Sequence, residues 1–169
     1  ELCRALTSVN VPFDRLLETL VEFLEHGNDW GARGGAALAL GLLQQDRERI
    51  ARILAARLEE ETDIGVRLRL ADALGHLGWH DRQIDRVLRN ALQQEHHFQT
   101  RWKLIEAYAL LTRKEEFIRE QIAQPVLNAT LDEKNRRQAF EILCQVEYYT
   151  NSLLHDIIQQ LPAFSAPLG

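Results

Sequence analysis

Four stretches written beneath one another decide the fold: Arg33-Gly-Gly-Ala-Ala-Leu-Ala-Leu-Gly-Leu-Leu43, Arg67-Leu-Arg-Leu-Ala-Asp-Ala-Leu-Gly-His-Leu77, Arg101-Trp-Lys-Leu-Ile-Glu-Ala-Tyr-Ala-Leu-Leu111 and Arg136-Arg-Gln-Ala-Phe-Glu-Ile-Leu-Cys-Gln-Val146. Their leading arginines stand 34, 34 and 35 residues apart. Below them run columns of one character: Ala37, Ala71, Ile105 and Phe140; Ala39, Ala73, Ala107 and Ile142; Leu40, Leu74, Tyr108 and Leu143. Trp30, Ile64 and Phe98 open the first three segments. A fixed period of this length is the signature of a stacked-repeat architecture.

The segments between them repeat as well. Ile50, Ile53, Leu54 and Leu58 match Ile84, Val87, Leu88 and Leu92 at an offset of 34, and Leu16, Leu20 and Leu24 precede Ile50, Leu54 and Leu58 by the same 34. Ile118 and Ile122, then Leu153 and Ile157, continue the series. Both sets follow the i, i+3, i+4, i+7 spacing of amphipathic helices, and no alternating strand pattern competes. Asp29, Asp46, Asp63 and Asp81 precede apolar-periodic runs, where a carboxylate can cap free amides. Thr130-Leu-Asp-Glu133 has capping-box spacing, Pro12 suits a first turn, and Gly27 and Gly78 suit helix ends. The pattern predicts nine helices, at about 12–26, 30–44, 47–60, 64–77, 82–95, 98–112, 115–128, 132–148 and 151–160, with residues 1–8 as the last turns of another. Pro125 should kink or break the seventh, because it lacks an amide donor and crowds the preceding turn. The Pro-containing stretch 162–169 reads as a tail.

Two segments carry a family resemblance. Asp29-Trp-Gly-Ala-Arg-Gly-Gly-Ala-Ala-Leu-Ala-Leu-Gly-Leu-Leu43 and Asp63-Ile-Gly-Val-Arg-Leu-Arg-Leu-Ala-Asp-Ala-Leu-Gly-His-Leu77 resemble HEAT repeats, most of all the short bilin-lyase type. The resemblance covers about residues 12–160. It implies an all-α fold, a right-handed α-solenoid of the HEAT/armadillo type with four to four and a half hairpins. The repeats would be about 1–27 (partial), 29–61, 63–96, 97–129 and 131–161, in one domain over 1–169. It also implies a ladder of polar contacts between repeats, drawn from Asp29, Arg33, Asp63, Arg67, Arg101, Asp132 and Arg136; His97 replaces the aspartate before Arg101. The competing tetratricopeptide pattern needs aromatic, Gly and Pro positions that this chain lacks. Ala36, Ala37, Ala39, Ala71, Ala73 and Ala107 should permit close helix approach, and Gly34 and Gly35 should do the same.

The chain has 169 residues, 46% hydrophobic and 27% charged, with a net charge of −5. That balance suits a folded chain and disfavours nucleic-acid wrapping, whose affinity comes from phosphate contacts. No run nears the roughly 20 apolar residues of a membrane span, and two cysteines, Cys3 and Cys144, make no disulfide framework. With Glu1 first and no methionine, an excerpt from a longer protein is expected. A cytoplasmic setting is expected because no signal-peptide pattern is present.

Catalytic patterns are absent. Gly31, Gly34 and Gly35 lack the Lys-Ser/Thr of a phosphate loop. His76 and His80 lie four apart, but Gly78 should end the helix between them; His96 and His97, being adjacent, cannot share a face. Cys144 falls in the Ala109 column, an interior position with no base near it. Glu59-Glu-Glu-Thr-Asp63 reads as a solvated acidic turn. The expectations are no catalytic residue, no metal and no cofactor. The second helices, about 47–60 and 82–95, carry Arg49, Arg52, Arg82, Arg86 and Arg89 at non-core positions, with Arg52 and Arg86 in one column. They read either as a docking stripe for an acidic peptide, protein or phosphate, or as a solvated face. The expected role is therefore a non-catalytic protein-interaction or scaffold module, such as the regulatory array of a larger chain. The alternatives are a bilin-handling, lyase-like protein and a HEAT-like nucleic-acid binder.

Overall fold

A computed structural model of the chain describes residues 11–128 and 131–146. The expectations for residues 1–8, Cys3, Thr130, the ninth helix with Leu153 and Ile157, and the tail lie outside the described residues. By its contacts the chain divides into two compact units, one ending at Thr112 and the other beginning at Arg113.

The first unit holds α1 (Phe13–His26), α2 (Trp30–Gly41), α3 (Arg47–Glu60), α4 (Ile64–Leu77), α5 (Arg82–Gln94) and α6 (Phe98–Thr112). These bounds follow the hydrophobic periodicity closely, because caps and turns agree with it. Asp29 accepts from the Ala32 amide, Asp63 from Val66, and Asp81 from both Gln83 and Ile84. Gly78 closes α4 at φ +66°, a left-handed conformation that glycine adopts without a Cβ clash. Asp46 departs from the expectation: it stands before α3 at φ +49° and makes no side-chain cap.

The helices form two layers. Helices α2, α4 and α6 pack side by side over the most extensive contacts in the unit. Small residues make that possible. A Cβ built on Gly41 would lie 2.6 Å from the Ala73 Cα, and one on Gly75 would lie 3.3 Å from the Ala107 Cα. The contact between α2 and α4 thus recurs, one period on, between α4 and α6. Gly35 differs from its expected packing role, since its missing Cβ would face open space; Gly34 meets only the stem of Arg69. Leu17, Leu20 and Leu24 of α1, Ile50, Leu54 and Leu58 of α3, and Ile84, Leu88 and Leu92 of α5 are buried from the other layer. Each such side chain contributes about 1.5–3 kcal/mol of hydrophobic stabilisation. A single pair could not cover this stripe; each neighbour continues the core. Helix α3 packs more extensively on α4, across a three-residue loop, than on α2.

The second unit holds α7 and α8 (Glu133–Val146). Helix α7 is α-form over Glu115–Ile118, π-form over Arg119–Ala123 and α-form again over Gln124–Leu127. Pro125 therefore does not end the helix. The turn ahead of it widens, and the Gln124 amide bonds to the Arg119 carbonyl, which accommodates the missing donor. Helix α8 packs on the stretch of α7 from Arg119 to Leu127, and Ile122 and Val126 of α7 and Ala139, Ile142 and Leu143 of α8 are buried. Helix α8 buries that single stripe. Two columns that are interior in the first unit consequently emerge: Phe140 is 48% exposed, and Cys144, expected in the interior, is exposed.

Candidate interaction surface

Three loops carry equivalent positions one period apart, Gly27, Glu61 and Glu95, and an arginine reaches each. Arg33 donates Nε to Glu61 Oε2 at 3.3 Å, and Arg67 donates Nε to Glu95 Oε2 at 2.9 Å. The second amine of each arginine turns the other way. Arg33 Nη1 donates to the Gly27 carbonyl, Arg67 Nη1 to those of Leu58 and Glu61, and Arg101 Nη1 to those of Leu92 and Glu95. A thread of charge-assisted bonds thus runs through these loops from α2 to α6.

The carboxylate partners differ from those that the family resemblance implies. Asp29 and Asp63 cap their own helices, and the arginines bond to glutamates 28 residues later. Glu61, expected in a solvated turn, is only 5% exposed, and Glu95 is 7% exposed. Glu61 Oε1 accepts from the Thr62 and Asp63 amides, while Oε2 also accepts from Arg57. Burial pushes the Glu61 carboxyl up. The Asp63 amide, the Arg57 hydrogen bond and the charges of Arg57 and Arg33 outweigh it and hold the group below the usual carboxylate range. In the second unit Asp132 caps α8, accepting from the Asn135 amide, and bonds to the Asn135 side chain. Arg136 Nε is buried and meets no hydrogen-bond partner among the described residues.

The arginines of the second-layer helices are not equivalent. Arg49 lies 3.8 Å from Asp46. Arg52 lies 2.6 Å from Glu48 and 3.7 Å from Asp81 at the start of α5. Arg89 turns toward α6: its Nε is 2.8 Å from Asp85, and its guanidinium sits 5.9 Å over the Tyr108 ring. Tyr108 donates to the other oxygen of Asp85, so this cluster fastens α5 to α6. Arg82 and Arg86 are exposed and have no carboxylate partner among the described residues.

Between α1 and α3 lies an open groove of about 1080 Å³, reached also by Gln83 of α5. Leu24, Ile53 and Ala56 form part of its lining, and charged side chains surround them. A smaller hollow of about 260 Å³ adjoins it, sharing Glu25, His26, Arg49 and Ile53, and adds Leu17, Val21, Glu18 and Glu22. No sequence signal marks this groove, because it depends on the spacing of α1 from α3.

The histidine pair is kept apart: His76 Nδ1 sits 2.9 Å from the Asp72 carbonyl, while His80, beyond the Gly78 turn, lies 3.5 Å from Asp85. Among the described residues no group of three or more His, Cys, Asp or Glu is placed to hold a metal ion, and no helix is long and apolar enough to cross a membrane. Comparisons with protein-family models, with curated proteins and with solved structures return no match for this chain.

Proposed function

We propose that the chain is a non-catalytic protein-interaction module, built of HEAT-like repeats in a right-handed solenoid, that presents its second-layer helices to a protein or peptide partner. The observation that carries this reading is the pair Arg82 and Arg86, exposed on α5 without a carboxylate partner among the described residues. Arg86 continues the Arg52 column by one period. Arginine offers a fork of donors suited to carboxylate groups. Helix α5 is held on α6 by the Asp85–Tyr108 bond, so an incoming segment meets a preformed surface. An acidic segment is the complementary ligand.

The test is affinity capture from cell extract, identification of the bound protein, and titration of that protein against wild-type chain and the Arg82→Glu/Arg86→Glu variant. Binding should weaken at least tenfold while the thermal midpoint stays put. Undiminished binding refutes the role of this face. Arg86 is the cleaner position, because reversal of Arg52 would also break its contacts with Glu48 and Asp81.

A further inference from the structure

From the groove between α1 and α3 we infer a second docking surface, one that takes a single basic amphipathic helix. This rests on the reading of the array as an interaction module; the groove adjoins the Arg82/Arg86 surface, since Arg52 and Gln83 line it, but the residues that select its occupant are the glutamates of α1. The groove's accessible apolar surface is Val21 from α1 with Ile53 and Ala56 from α3; Leu17 and Leu24 border it but are buried in the core beneath. Both walls are helices, and their backbone groups are already bonded within themselves. The groove therefore offers no free strand edge, and a helix laid between two helices is the fitting mode. The lined stretch of α1 runs from Leu17 to His26, and that of α3 from Asp46 to Glu60. At 1.5 Å per residue the seat is about 15–20 Å long, or roughly three to four helical turns.

Charge selects the sign of the occupant. Glu18, Glu22 and Glu25 succeed one another at i, i+4 and i+7, so they share one face of α1, and all three are exposed and line the hollow. Glu18 and Glu22 have no ion pair among the described residues, and Glu25 has only His26 at 3.8 Å. The opposite wall is neutralised locally. Arg49 is answered by Asp46, Arg52 by Glu48 and Arg57 by Glu61. Among the described residues the uncompensated charge of the groove is negative: it lies mainly along α1, with Glu60 at the end of α3. A helix with one apolar stripe and lysine or arginine beside it is complementary in both respects; an acidic one is repelled.

Three fluorescein-labelled 14-residue peptides test this by anisotropy near 0.1 M salt. One carries a leucine stripe flanked by lysines, one the same stripe flanked by glutamates, and one the lysine composition scrambled so that no stripe forms. The lysine-flanked peptide should bind at least tenfold more tightly than either control and gain helical circular dichroism on binding. The Glu18→Lys/Glu22→Lys variant should reverse the preference toward the glutamate-flanked peptide, a gain that misfolding cannot produce. Binding of the scrambled peptide as tightly as the striped one overturns the inference, as does binding without gain of helix, no binding by any peptide, or an unchanged preference in the variant. The Arg82/Arg86 experiment alters α5 and the Glu18/Glu22 experiment alters α1, each read with its own ligand, so either proposal can fail alone.

Discussion

Arg67 and Glu95 stand 28 residues apart in sequence and 2.9 Å apart in space, and Arg33 and Glu61 repeat the relationship one period earlier. Each glutamate closes the loop between a second-layer helix and the next first-layer helix. Each arginine joins that loop to the preceding one. The stack is therefore held by apolar burial inside its layers and by buried ionic bonds along its loops.

Removal of one member of such a pair leaves the other short of a partner in a poorly hydrated place. Glu95→Ala should destabilise the chain by about 2–3 kcal/mol, Arg67 being still bonded to two carbonyls. Glu95→Gln, which keeps an acceptor oxygen, should cost roughly half of that. Urea titration of both, with Arg67→Ala and the double variant to complete the cycle, measures the coupling. Additive effects at the two positions would show that the bond is not stabilising.

Glu61 should make stability depend on acid. Its carboxyl is depressed below the ordinary 4.5 in the folded chain. A depressed carboxylate contributes stability that is fully present above the unfolded value and fades as pH falls through the folded one. The urea midpoint should drop from pH 5 downward, and Glu61→Gln should be less stable at pH 7 yet lose less over the same acid range. Parallel pH profiles for the two proteins would contradict this.

Alanine at three glycines should separate helix propensity from packing. Gly35→Ala adds a methyl into open space within α2 and should stabilise by up to about 1 kcal/mol. Gly75→Ala places Cβ 3.3 Å from the Ala107 Cα, so propensity and crowding should nearly cancel. Gly41→Ala places it 2.6 Å from backbone at Ala73 and should destabilise by about 1–3 kcal/mol. Thermal midpoints in the order Gly35→Ala, Gly75→Ala, Gly41→Ala check the assignment; any other order counts against it.

The aspartates before the helices should divide likewise. Asp81→Ala removes the acceptor of two amides and should cost about 1 kcal/mol. Asp46 makes no cap and sits at φ +49°, so Asp46→Gly should be neutral or stabilise by up to about 1 kcal/mol. Equal losses at both positions, read by chemical denaturation, would show that the local backbone geometry is misassigned.

Much of the fold was legible because its signals are local. A 3.6-residue apolar rhythm, an aspartate ahead of Trp30, Ile64 and Arg82, and Gly78 after Leu77 suffice to mark helices. The Arg–Glu thread was half legible. The arginine column at 33, 67 and 101 stands out, but Glu61 reads as part of a solvated acidic turn, and Glu95, 34 residues on, carries no signal of its own. Nothing in the five residues around Glu61 discloses that Arg33, 28 residues earlier, folds back to it. The arginines of the second-layer helices looked alike for the same reason, until their neighbours separated Arg89, bound to Asp85 and Tyr108, from Arg86.

By itself the sequence determined about where the helices of residues 11–112 begin and, apart from α2, which stops at Gly41 and not near 44, where they end, since propensity, capping and periodicity act over a few residues at a time. Only the tertiary structure decided which carboxylates are buried, which arginines keep their donors for solvent, and that α1 and α3 leave a channel between them. Those properties depend on distances between residues remote along the chain, and such distances are set by how side chains of different size let one helix approach the next.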